Sequence, residues 1–277
     1  MRNVLVVVAL LFMASSASAA SCDPPPGLDA ALRGKRILMF GDFHGTNEIP
    51  DFVGRVACAL EAEGRSVLVG LEFPRSEQAK IDSFLMSAGT ADDKSILTAG
   101  PFWNSKAQDG RRGTAMVRLF DTLRAVKQGH PTLSVIAFDT SATPNEDSGK
   151  PRDIAMADDF RRAFDAAPAG TIGVVFVGSL HDTRTEAPNG VKPMVEQLER
   201  NGDTLALTEG DAGGTAYNMQ SDGAGLHAKN PTACGGGNPE VPSIVLNETR
   251  LRNFRWDGCF FVGPVTASLP ISASAGQ

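Results

Sequence analysis

The sequence predicts an α/β fold with a parallel-rich central sheet flanked by helices, and three observations carry that prediction. Continuous apolar, β-branched runs recur along the chain, each short enough for a buried strand and bounded by turn residues. Segments with apolar residues at helical spacing separate these runs, the alternation expected of strand–helix–strand units. Most of the runs also end in glycine or an acid, and α/β folds collect ligands beyond the carboxyl ends of their strands.

The first strand is Arg36–Gly41, which stops at the polar turn Asp42-Phe43-His44-Gly45. A helix from Glu48 to Gly64 follows, with Phe52, Val53, Val56, Ala59 and Leu60 on one face. Ser66–Glu72 is the second strand, and the crossover between the two is expected to be right-handed. Arg75–Ala88 predicts a helix with Ile81, Phe84 and Leu85 inward, leading into a polar, glycine-punctuated stretch through Trp103 and Arg111-Arg112. Thr114–Lys127 is an amphipathic helix. The third strand, Thr132–Phe138, closes on Asp139. Residues 141–150 read as a loop, Pro151 suits the first position of a helix, and Asp153–Phe164 continues that helix. Thr171–Gly178 is the fourth strand, running into Ser179-Leu180-His181-Asp182. Val191–Arg200 predicts a shorter helix and Asp203–Thr208 a fifth strand. Residues 209–239, rich in Gly, Asn, Asp and Ser, predict a long loop or lid, because connections of that length are usually functional or mobile. Ser243–Leu246 and Cys259–Val262 are short closing strands, and 266–277 is expected to form a disordered tail. A leader at 21–35 thus precedes one α/β domain at 36–265.

Residues 1–20 combine Arg2, the apolar run Val4–Met13 and a stretch of small residues, the pattern of a secretory signal peptide. Export to the periplasm or beyond is the expectation. No later run approaches the roughly 20 apolar residues of a spanning helix. A net charge of -6 and a pI of 5.3 give no electrostatic reason to expect nucleic acid or an anionic membrane as partner. The four cysteines form an even set suited to an oxidising compartment, with Cys22–Cys58 and Cys234–Cys259 as the favoured pairing. A lipid anchor at Cys22 is the less favoured reading, since Ala19 stands where such processing sites prefer a larger aliphatic residue.

The strand ends supply a chemical set: Asp42 with His44, Glu72, Asp139 and His181. An imidazole beside a carboxylate has its tautomer fixed and its basicity raised, which suits a general base acting on water. The alternative use of Asp42, His44, Glu72 and His181 is to hold a divalent metal with an open position. Spacing leaves both open. Arg111 and Arg112 are candidates to bind an anionic group or an oxyanion, and Trp103 is a candidate pocket wall. His130 reads as a turn residue, while His227 and Tyr217 fall in the glycine-rich segment. The chain has no Gly-x-Ser-x-Gly elbow, phosphate-binding loop, dinucleotide fingerprint or Cys-x-x-Cys pair, which speaks against a serine hydrolase and a nucleotide enzyme.

The motifs Gly41-Asp42-Phe43-His44-Gly45-Thr46-Asn47-Glu48, Leu71-Glu72-Phe73 and Gly178-Ser179-Leu180-His181 together resemble the superfamily of erythromycin esterases, ChaN-type haem-binding lipoproteins and Tiki proteases. That family's first motif is usually Gly-Glu-x-His, so Asp42 stands in place of a longer acid. The resemblance implies a parallel-rich α/β fold with a Glu/His cleft that activates water in the esterases and serves metal-dependent proteolysis in the Tiki branch. The expected function is an exported hydrolase-like protein acting on an ester or acyl bond of a small molecule. A haem- or divalent-metal-binding envelope protein without catalysis is the alternative; for haem, Tyr217 is the single tyrosine.

Overall fold

Both faces of the apolar runs must leave water, and the sheet they build is covered on each side. The computed structural model describes residues 22–140, 151–186, 190–232, 234, 237–247 and 255–271. The expected signal peptide, the loop at 141–150 and the end of the tail at 272–277 lie outside them. The chain begins with a short helix α1 (Leu28–Ala31), then β1 (Ile37–Asp42), α2 (Glu48–Ala62) and β2 (Val67–Pro74). A turn of 3-10 helix at Arg75–Glu77 opens α3 (Gln78–Leu85), followed by α4 (Ala91–Thr98), α5 (Thr114–Gly129), β3 (Ser134–Asp139), α6 (Arg152–Ala166) and β4 (Ile172–Gly178). The remainder is α7 (Met194–Leu198), β5 (Thr204–Gly210), β6 (Gly214–Gln220), β7 (Gly223–Lys229), β8 (Ser243–Leu246) and β9 (Gly258–Phe261).

Among the described residues, seven strands form one sheet in the order β3-β2-β4-β1-β5-β9-β8. All neighbours pair in parallel except β8 with β9. Side-chain alternation divides the sheet cleanly. Leu38, Phe40, Val69, Leu71, Val174 and Phe176 enter one core with α2, α3 and α5. Ile37, Met39, Val175, Val177 and Ala206 enter the other with α6 and α7. Burying a side chain such as Phe40 stabilises by about 1.5–3 kcal/mol, so these continuous runs commit the central strands to the interior. No helix among the described residues is long and apolar enough to cross a membrane.

Cys22 bonds to Cys58 and Cys234 to Cys259, with Cα separations of 5.2 and 6.1 Å, which is the favoured pairing and leaves Cys22 no thiol for a lipid. Two disulfides indicate an oxidising environment. Four expectations are corrected. The leader contains α1, whose Leu28 is fully buried. The polar stretch after α3 holds α4, which opens on a capping box between Thr90 and Asp93. The segment 209–239 is no structureless loop: β6 and β7 form an antiparallel hairpin within it. Of the tail, 266–271 is ordered, since Thr266 O accepts from Asn47 N–H at 2.8 Å and Leu269 O accepts from Thr114 N–H at 3.0 Å.

Candidate active site

β4 lies between β2 and β1, so parallel register brings the ends of three adjacent strands together with Glu72, His44 and His181. His44 sits where the chain leaves β1 and takes φ +58°, a left-handed conformation unusual for a residue with a side chain. That turn aims its ring back over the strand ends. Nδ1 lies 2.7 Å from Asp42 Oδ1, and Nε2 lies 3.5 Å from Glu72 Oε2. Position 178 must be small here, because a Cβ on Gly178 would sit 3.0 Å from His44 Nε2.

Glu72 is the hub. Its Oε2 accepts from Gly178 N–H at 2.7 Å, and its Oε1 accepts from Arg111 Nη1 at 2.9 Å and Arg152 Nη2 at 2.6 Å. Both guanidiniums also reach Asp139, at 2.7 Å from Arg111 and 2.9 Å from Arg152. On the far side, Arg152 Nη1 lies 2.9 Å from His181 Nε2. A guanidinium only donates, so Nε2 of His181 accepts and its ring proton is on Nδ1, which pairs with Asp153. The two imidazoles are therefore not equivalent. Burial works against charge on His44, but the adjoining Asp42 and Glu72 carboxylates outweigh it and push its pKa up to about 10. Glu72 is buried too, yet His44 and Arg111 hold its carboxyl well below the usual range.

On the His44 side of Glu72 lies a cavity of about 10 Å³, lined by Asp42, His44, Glu72 and Arg111 with Leu71 and Phe176. That is close to the smallest space that holds one water, and it offers the polar partners a water needs.

Of the expected site residues, Asp42, His44, Glu72, His181 and Arg111 converge. Asp139 is fully buried and serves as the anchor that holds Arg111 and Arg152 in place rather than as an acid facing an imidazole. Trp103 is 2% exposed, packed among Phe73, Phe102 and Phe120, so it belongs to the core and not to a pocket wall. Arg112 turns away from the cleft: it bonds Ala107 O and Asp109 and lies 4.5 Å over the Phe102 ring, bracing its own loop. Arg152 and Asp153 were missed. Pro151 marks the start of α6 in the sequence, and first-turn residues of a helix that follows a strand end in βα units face the ligand edge, which was the available clue.

A second set of buried acids stands behind His44. Asp182 is wholly buried, its Oδ1 accepts from Trp256 Nε1 at 2.8 Å, and its Oδ2 has no hydrogen-bond partner among the described residues. Burial, with the charges of Asp42 and Glu209 adding, pushes its carboxyl well above the usual range. Lys229 pairs with Glu209 at 2.5 Å and Asp211 at 2.9 Å. Burial still raises Glu209 to about 8, although Lys229 opposes it.

Among the described residues no three His, Cys, Asp or Glu side chains are arranged to hold a metal ion. The chemistry of the set gives the reason: Arg111 and Arg152 take the place a cation would occupy at Glu72. The cavity at His44 is likewise far too small for a haem. Neither group fits this arrangement, and no step is routed through either.

Fold and site together define an α/β scaffold carrying an Arg-braced Glu/His cleft at the carboxyl ends of its strands. No family model and no curated protein matches the chain. Among solved structures it is similar to a protein from Bacillus cereus, with TM-score 0.60 and 11% identity over 91% of this chain and 95% of that one. It is also similar to a succinoglycan biosynthesis protein, with TM-score 0.53 and 9% identity over 87% and 91%. An erythromycin esterase variant in its open conformation aligns over 87% of this chain and 94% of that one, with TM-score 0.48 and 11% identity. The parallel-rich α/β architecture agrees with the fold class expected from the sequence.

Proposed function

We propose that the protein is an exported hydrolase that activates water against an ester or similar acyl bond in the Glu72 cleft. One observation carries this reading: two imidazoles with different proton arrangements flank a single buried carboxylate beside a water-sized cavity. Such a division supplies a base and an acid at one pH. His44, charged at neutral pH, is the acid, and His181, with a lone pair at Nε2 and Asp153 behind Nδ1, is the base once Arg152 shifts off it.

With Arg152 displaced, a water that binds at His181 Nε2 loses a proton to it as its oxygen attacks the acyl carbon. The bond to the leaving oxygen then breaks, and that oxygen takes the proton from His44. Arg111 and the freed Arg152 face the negative charge that develops on the acyl oxygen. Asp42, though shorter than the family's usual glutamate, reaches His44 at 2.7 Å and keeps it charged. The disulfides and the signal-like N-terminus support export.

His44→Ala and His181→Ala should each lower turnover of a screened ester panel by about 10²–10⁴-fold, and Glu72→Gln nearly as much. If both histidine variants keep parental turnover, the mechanism fails.

A further inference from the structure

We infer that Asn218, on the β6–β7 hairpin, is a positioning residue that holds His44 in its working conformation through the backbone of the turn Phe43–Gly45. Only the kinetic arm of this inference rests on the hydrolase reading.

The turn is costly to hold. His44 and Gly45 both have left-handed backbones, at φ +58° and +84°, and a residue with a side chain in that region is strained unless its surroundings hold it there. Its three carbonyls are all captured from outside. Asn218 Nδ2 donates to Phe43 O at 3.0 Å and His44 O at 3.3 Å. Gly45 O accepts from Tyr217 N–H at 2.9 Å and from Ser268 N–H at 2.8 Å. The hairpin approaches so closely that any Cβ on Gly45 would strike Tyr217 O.

The amide is fixed in its own right. Asn218 is 6% exposed, and because both neighbours of Nδ2 are carbonyls, Oδ1 must accept. His227 Nδ1 donates to it at 3.0 Å. The other end of the hairpin is tied down by Lys229 between Glu209 and Asp211, and Glu209 Oε1 accepts from Phe43 N–H at 3.3 Å. Without the Asn218 amide, two carbonyls lose their donor and the turn relaxes toward negative φ. That movement carries the His44 ring out of its place between Asp42 and Glu72.

The test uses the whole protein labelled with ¹⁵N-histidine, in which four histidines give four ring systems. In Asn218→Ala, kcat on the ester panel should fall by about 10–100-fold with KM little changed. The titration midpoint of the His44 ring should drop from about 10 toward 6.5 as it leaves its two carboxylates. His227→Ala, which leaves the amide in place with only the longer 3.4 Å bond from Gln220 Nε2 to brace it, should move both readouts the same way by less, and it carries the test if Asn218→Ala does not fold. His44 resonances and midpoint matching the parent in the folded variants would overturn the inference. If the parent hydrolyses no ester, the hydrolase reading falls and the ring titration alone decides this one.

Discussion

Two buried charge clusters meet at His44 and behave in opposite ways. On the β2–β4 side, Glu72 and Asp139 share Arg111, Arg152 and two imidazoles, and Glu72 is held well below the usual carboxylate range. On the β5 side, Glu209 and Asp211 share Lys229 while Asp182 has the Trp256 indole as its side-chain donor, and burial drives Asp182 well above its usual range and Glu209 to about 8. Burial is common to both; the supply of cations and donors is not. Ionisation in this interior is therefore set by partners, as expected where desolvation is large for every group.

Removing one partner from the matched cluster should give the largest effect. Arg111→Met leaves Glu72 and Asp139 buried with less compensation and should cost about 3–5 kcal/mol at neutral pH, read by urea unfolding. Because Glu72 has a lowered pKa in the fold, its contribution is full above its unfolded value and is lost as pH falls through its folded value. The cost of Arg111→Met should therefore shrink on acidification. An unchanged midpoint at pH 7 would break the comparison.

The unmatched cluster should respond with the opposite sign. Asp182 is raised, so its carboxyl favours the fold most at low pH and loses that advantage as pH rises through its folded value. Asp182→Asn should change little at acid pH and stabilise by about 1 kcal/mol in mildly alkaline buffer, measured as a rise in Tm. Destabilisation at alkaline pH would mean that Asp182 is ionised and paired.

Much of this was legible in the sequence. The central strands announce themselves because a strand covered on both faces reads as a near-continuous apolar run, and β1, β2 and β4 do so up to the carboxylates Asp42 and Glu72 near the ends of β1 and β2. Glu72 and His181 follow from reading what stands at those strand ends. The hairpin hid because its pattern is inverted: Asn218 and His227 face the molecule, while Leu226 and Met219 face outward at 64% and 46% exposure. Glycine in place of bulky residues on β7 removed the remaining strand signature. Arg152 and Asp153 hid for another reason. They begin a helix whose site-facing edge depends on where the preceding loop delivers it, and periodicity reports only the core face. Trp103 and Arg112 went the other way, because a glycine-punctuated loop reads as surface even where it folds onto an aromatic cluster.

The central claim is that His44 is the charged imidazole and His181 the one with a lone pair at Nε2. A ¹H–¹⁵N titration of the ring nitrogens in the parent protein tests it directly. The expected result is a His44 midpoint near 10 and, at neutral pH, a His181 ring carrying its proton on Nδ1. A His44 midpoint near 6.5, or a His181 proton on Nε2, would contradict it.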